Sequence, residues 1–186
     1  MLESIDFTGR SVGGFELPEV FPSGLAIADD GFGNAWVLDL VPEERDFARV
    51  FFACHDAPVI LYQSPSIGHF LHELFTLYVA PHASLVDDVH EDRLFDVWGT
   101  NPGVLARSAA LGAGDAVLSE FATTLDEGFE LVDLRAAPVG MGFSWGRYGP
   151  QTELRRHRYH RVFAYRRPPR PPHRLRGLFK QRKRPA

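Results

Sequence analysis

A single cysteine, Cys54, stands in the 186 residues, and one thiol forms neither an internal disulfide nor a zinc-ribbon cluster. No apolar run approaches the roughly 18 residues that cross a bilayer. The start, Met1-Leu2-Glu3-Ser4-Ile5-Asp6, lacks the basic flank and apolar stretch of a secretory signal. No internal repeat recurs, and no acid occurs beyond Glu153. These absences leave the expectation of a soluble protein of a reducing compartment, the cytoplasm. What is present is ordinary for a globular chain, 45% hydrophobic and 24% charged. At this length a core can form without disulfide staples.

The charge is segregated. All 24 acids lie at or before Glu153, beside only Arg10, Arg45, Arg49, Arg93, Arg107, Arg135 and Arg147, a balance of −17. The other 13 cations lie between Arg155 and Arg184. An acidic body repels polyanions and steers basic proteins toward itself, and it also keeps a chain soluble. The basic Arg166-Arg167-Pro168-Pro169-Arg170-Pro171-Pro172 segment opens a tail, 166–186, too poor in apolar residues to offset its ordering entropy.

Local signals predict the elements. Residues 1–24 read as loop with at most one short strand. Asp29-Asp30-Gly31-Phe32-Gly33-Asn34 reads as a tight turn, because glycine and Asn take positive φ cheaply. Ala35 to Leu40 follows as a strand with Trp36, Leu38 and Leu40 on one buried face. Val50–Cys54 and Val59–Tyr62 read as a hairpin split at His55-Asp56-Ala57-Pro58. Ser64-Pro65 reads as a helix start. Ile67, Phe70, Leu71, Leu74, Phe75 and Tyr78 then form one apolar stripe expected to face the core, with His69, His72, Glu73 and Thr76 opposite. Pro81 ends that helix. A second helix is predicted from Asp115 as N-cap, with Val117, Leu118, Phe121 and Leu125 inward. Phe129–Leu134, a short piece within 140–150 and Tyr159–Tyr165 read as strands. Strands in consecutive groups with helices between them predict an α+β class with a largely antiparallel or mixed sheet.

Residue clusters that suggest chemistry are weak. His55-Asp56 resembles a metal-ligand pair but sits between short strands, without partners on helices. His69 and His72 are three apart, where the metalloprotease pattern needs four with the Glu between. Asp29 to Asn34 lacks the alternate carboxylates and closing Glu of a calcium loop. Cys54, mid-strand among aromatics, reads as a small core hydrophobe. No convincing catalytic set emerges. The chain is therefore expected to be a binding module and not an enzyme, with no metal and no cofactor.

Phe21-Pro22-Ser23-Gly24, the Gly33-Asn34 turn, Asp39, Val50–Cys54, His55-Asp56, Ser64–Ser66 and Phe70-Leu71-His72-Glu73-Leu74 follow one another in an order that resembles the SUKH superfamily. The resemblance covers about residues 17–80. That superfamily takes in bacterial immunity proteins and a fungal regulator of cell-wall glucan synthesis. The resemblance implies a SUKH-like α+β domain over 1–165. It also implies a cytoplasmic, non-enzymatic immunity protein that binds and blocks a cognate toxin domain. Many such toxins are nucleases with basic clefts, so an acidic body has a physical reason to fit one. The candidate contacts are Asp29, Asp30, Asp56, Asp87, Asp88, Glu91, Asp92, Asp126 and Glu127. A regulatory or scaffolding adaptor, docking through its tail, is the alternative reading. Nucleic acid is not an expected partner of the body, and no membrane span is expected.

Overall fold

Along Val50-Phe51-Phe52-Ala53-Cys54 every residue is buried. Strand geometry sends neighbours to opposite faces, so both faces of this strand must be covered. A computed structural model describes residues 11–12, 15–16, 20–42, 48–55, 57–149 and 152–167. It is α+β, with two antiparallel sheets face to face and helices on both outer sides.

The larger sheet holds β3 (Gly24–Asp29), β4 (Ala35–Asp39), β5 (Arg49–Cys54), β6 (Val59–Ser64) and β9 (Gly142–Phe143), in the order β3-β4-β5-β6-β9. The smaller holds β10 (Glu153–Arg156), β11 (Val162–Arg166), β8 (Phe129–Asp133) and β7 (Val104–Ala106), in that order. A separate pair, β1 (Ser11–Val12) and β2 (Phe15–Glu16), precedes them where at most one short strand is expected from the sequence. Glycine permits the β6–β9 contact: a Cβ on Gly142 would stand 1.9 Å from the Ile60 carbonyl oxygen.

Three apolar layers result. Between the sheets lie Val37, Phe51, Ile60 and Tyr62 from one, with Val132, Leu134, Phe163 and Tyr165 from the other. The far face of the larger sheet carries Trp36, Phe52 and Leu61 against helices α1 (Ile67–Thr76), α2 (Leu85–Asp88) and α3 (Leu94–Thr100). A π-helical turn, Val89–Arg93, joins α2 to α3 without a break. The far face of the smaller sheet carries Leu131, Val162 and Ala164 against α4 (Arg107–Leu111) and α5 (Ala116–Thr123).

Several expectations need correction. β4 is buried on both faces and not one, because a second sheet covers the side opposite Trp36. The α1 N-cap is Ser66, not Ser64; its Oγ accepts the His69 N–H at 3.2 Å. The predicted core stripe of α1 is mostly outside. Phe70 is 2% exposed, but Leu71 is 47% and Phe75 71% exposed. The helix is rolled so that Glu73, on its predicted solvent face, receives Ser84 Oγ on its carbonyl and Leu85 N–H on its carboxylate. Residues 87–96, which the sequence marks only as acidic, lie within a helical stretch that runs from Leu85 to Thr100. The final strand starts at Val162 and runs on into Arg166, a residue assigned from the sequence to the tail. The rest of the tail, 168–186, and Asp56 lie outside the described residues. The α5 prediction holds: Asp115 caps it, accepting Leu118 N–H at 2.9 Å, and Leu118, Phe121 and Leu125 are buried.

Candidate binding site

The β3–β4 turn builds the first wall. Asp29 Oδ1 accepts the Gly31 N–H at 2.9 Å, and Asp30 Oδ1 accepts Phe32 N–H at 2.9 Å and Asn34 N–H at 3.2 Å. Such self-bonding by Asp is what makes it a turn residue. Asn34 Nδ2 donates to Asp30 Oδ2 at 2.6 Å, and Asn34 Oδ1 accepts the His55 N–H at 2.8 Å. Gly33, at φ 99°, lies beside the His55 ring, and a Cβ there would come within 2.9 Å of it. Fastened this way, the turn holds the Phe32 ring in solvent.

The π-helical turn supplies the second wall. Single π turns inside α-helices recur at functional sites because they re-aim side chains. Here the turn brings His90 Nε2 to 3.1 Å from Asp30 Oδ2, with the imidazole edge-on to Phe52 at 5.2 Å. Burial acts to raise the Asp30 carboxyl. Hydrogen bonds from Asn34, the Phe32 N–H and His90 outweigh it and hold the group below its ordinary value. Asp30 is thus a fixed anion at neutral pH.

Past His90 the turn exposes Glu91 and Asp92, and α3 presents Phe95 and Trp98 at i, i+3 on one face. With Phe32 these residues enclose a cleft of about 870 Å³ whose floor reaches Cys54. On the other side of the same turn is a groove of about 450 Å³. Glu73, His82, Asp87 and Asp88 line it, and Glu91 and Asp92 border both hollows. No arginine or lysine lines either one. Arg93 turns away, packing its stem on Gly140 and pairing loosely with Asp88 at 3.7 Å and Asp96 at 3.8 Å. The α1 helix exposes a further apolar ridge of Ile67, Leu71 and Phe75, and Tyr78 after it is exposed as well.

The sequence-predicted contacts divide accordingly. Asp87, Asp88, Glu91 and Asp92 come together on the groove, and Asp30 joins them through the cleft. Asp29 belongs to the same turn as Asp30, but its carboxylate is spent on the Gly31 N–H. Asp126 and Glu127 do not join them: they precede β8 of the smaller sheet, where Asp126 meets Arg166 at 3.3 Å. The aromatic side chains Phe32, Phe95 and Trp98 were not singled out as site residues in the sequence. Their signal was available only as apolar residues among acids. Among the described residues no three His, Cys, Asp or Glu side chains are grouped to hold a metal.

The expectation that no serine sits in the Gly-x-Ser-x-Gly spacing of a nucleophile elbow needs correction, because Gly142-Phe143-Ser144-Trp145-Gly146 has that form. Its setting differs from an elbow. Ser144 is fully buried, its N–H donates to Asn101 Oδ1 at 2.8 Å, and a turn instead of a helix follows. No family model matches the chain, nor does any curated protein or solved structure.

Proposed function

We propose that this chain is a binding protein that captures a basic protein partner on the helical side of its larger sheet, in the manner of a toxin-immunity protein. The observation that carries the reading is where apolar surface is left uncovered. Of the twelve large apolar side chains exposed among the described residues, nine lie on α1, α2, α3, the segment after α1 or the β3–β4 turn. Contiguous exposed apolar surface rimmed by polar groups marks interaction sites. Here the rim carries Glu73, Asp87, Asp88, Glu91 and Asp92, with His82 the one basic side chain among them. An anionic partner is repelled, and a cationic one is steered in and then held by apolar contact. The resemblance of residues 17–80 to the SUKH superfamily supports a toxin domain as that partner.

The test is protection. The reading expects a large secreted protein with a variable, toxic C-terminal domain to be encoded beside this chain, and cells producing that domain are expected to survive when the chain is co-produced. Death at the same rate overturns the immunity reading. With purified proteins, changing Asp87, Asp88, Glu91 and Asp92 to Asn or Gln is expected to slow association more than it speeds dissociation. The difference shrinks as salt shortens the screening length to below about 8 Å. An association rate indifferent to both salt and substitution removes electrostatic steering.

A further inference from the structure

We propose that the cleft between the β3–β4 turn and α3 is an anchor pocket for an arginine side chain. The inference deepens the reading of this face as a protein-binding surface and rests on it. Three aromatic residues border the cleft: Phe32 from the turn, with Phe95 and Trp98 from α3. Phe32 is 78% and Phe95 68% exposed, so apolar ring surface is left to water at a site the fold otherwise spends hydrogen bonds to build. Aromatic faces attract cations, arginine most often. The charged groups at the cleft have one sign. Asp30 is fixed as an anion at its base, Glu91 and Asp92 stand on its rim, and the only basic side chain lining it, His90, is already engaged with Asp30.

Four classes of occupant can be compared on that chemistry. A phosphate or carboxylate ligand meets three carboxylates and no arginine or lysine. A metal ion lacks a ligand group, since no three suitable side chains gather among the described residues. A neutral apolar ligand gains from the rings but leaves Glu91 and Asp92 unused. A guanidinium uses both features: its plane stacks on a ring and its forked N–H groups pair with a carboxylate. An ammonium pairs with the same acids but is more strongly hydrated and does not stack, so arginine is preferred to lysine.

Trp98 is the natural reporter, because it is 39% exposed while Trp36 and Trp145 are buried. The full chain is titrated with N-acetyl-arginine methylamide and the Trp98 signal followed by fluorescence and by its indole N–H resonance. The expected result is a saturable response. N-acetyl-citrulline methylamide, of the same shape but neutral, is expected to give none, and the lysine derivative a weaker one. Phe95→Ala and Asp92→Asn are each expected to weaken arginine binding about 5-fold, the worth of one exposed cation–π or charged contact. Both residues are on the surface, so neither change threatens folding, and the citrulline control needs no variant. An equal response to citrulline, or no response to arginine, overturns the anchor. Toxin protection that survives Phe95→Ala unchanged also removes it while leaving the binding reading intact. Loss of protection by the wild type alone removes the immunity reading and leaves the arginine titration standing.

Discussion

Asp39 and Arg156 are 117 positions apart and meet between the two sheets. The guanidinium donates to both carboxylate oxygens, at 3.1 and 2.6 Å, and to the Val20 carbonyl at 2.9 Å. It also lies over the Phe21 and Phe163 rings, at 5.8 and 5.1 Å. Both side chains are under 5% exposed. A buried pair of this kind adds little net stability, but breaking it strands the surviving charge, which costs about 3–5 kcal/mol. Asp39→Ala and Arg156→Leu are therefore each expected to lose about that much in urea unfolding. The double change should cost less than the two losses added together, because no lone charge remains. Full additivity in that cycle refutes the coupling. Asp39 was legible in the sequence only as part of a pattern, as were Gly33-Asn34 and His55. Their partners were not legible, because contacts across 117 positions leave no local trace. In the fold these residues hold backbone: Asn34 fastens His55, and Gly33 makes room for its ring.

For an element, periodicity reports that a face is apolar and says nothing about what covers it. The α1 helix illustrates this limit. Its i, i+3, i+4 stripe made a core face the natural expectation, yet only Phe70 is fully buried in the Trp36 and Phe52 layer, with Leu74 half-buried against it. The helix docks through Phe70 and Leu74 and through the polar links from Glu73 to Ser84 and Leu85. Phe70→Ala is expected to cost about 3–5 kcal/mol. Leu71→Ala should stay within about 0.5 kcal/mol, as surface changes do. Chemical denaturation of the two variants decides it, and equal losses refute the facing. Partner binding should show the reverse order, weakened by Leu71→Ala. Where signals were purely local they were sufficient: Asp115 announced α5 because a cap and an apolar stripe lie within a few residues of each other. β10 was missed because Glu153-Leu154-Arg155-Arg156 offers one apolar residue, and the edge position of that strand asks for no more. The π-helical turn, where the candidate site is centred, was missed because its i→i+5 bonding has no residue signature.

At the scale of the whole molecule the layers share out the charge. Asp87, Glu91 and Asp92 stay exposed on the helical side of the larger sheet, while several other acids are tied to cations that come late in the chain or to one central arginine. Arg135 joins Asp115 at 2.8 Å to Asp133 at 2.6 Å, linking the α5 cap to β8. Its bonds hold the Asp115 carboxyl low. For Asp133 burial acts to raise the group, but the Arg135 bonds prevail and it too is lowered from 3.8, as Asp30 is. His157 is lowered from its ordinary 6.5, first by burial and then by neighbouring His160. In each case the unfolded chain binds protons more readily than the folded one, so stability rises with pH through the window between the two values. The stability is complete above the ordinary value and lost as pH falls through the folded one. Acid is therefore expected to weaken the fold in two stages. The first begins as pH drops below about 6.5, from His157, and the second below about 3.8, from the three carboxyls. Urea unfolding at closely spaced pH separates them. His157→Gln should abolish the upper stage and leave the lower one in place, and Arg135→Met should shrink the lower stage most, with a smaller effect on the upper one because the Arg135 charge also helps lower His157. A His157→Gln protein that still loses stability between pH 6.5 and the lower stage would place the upper titration elsewhere.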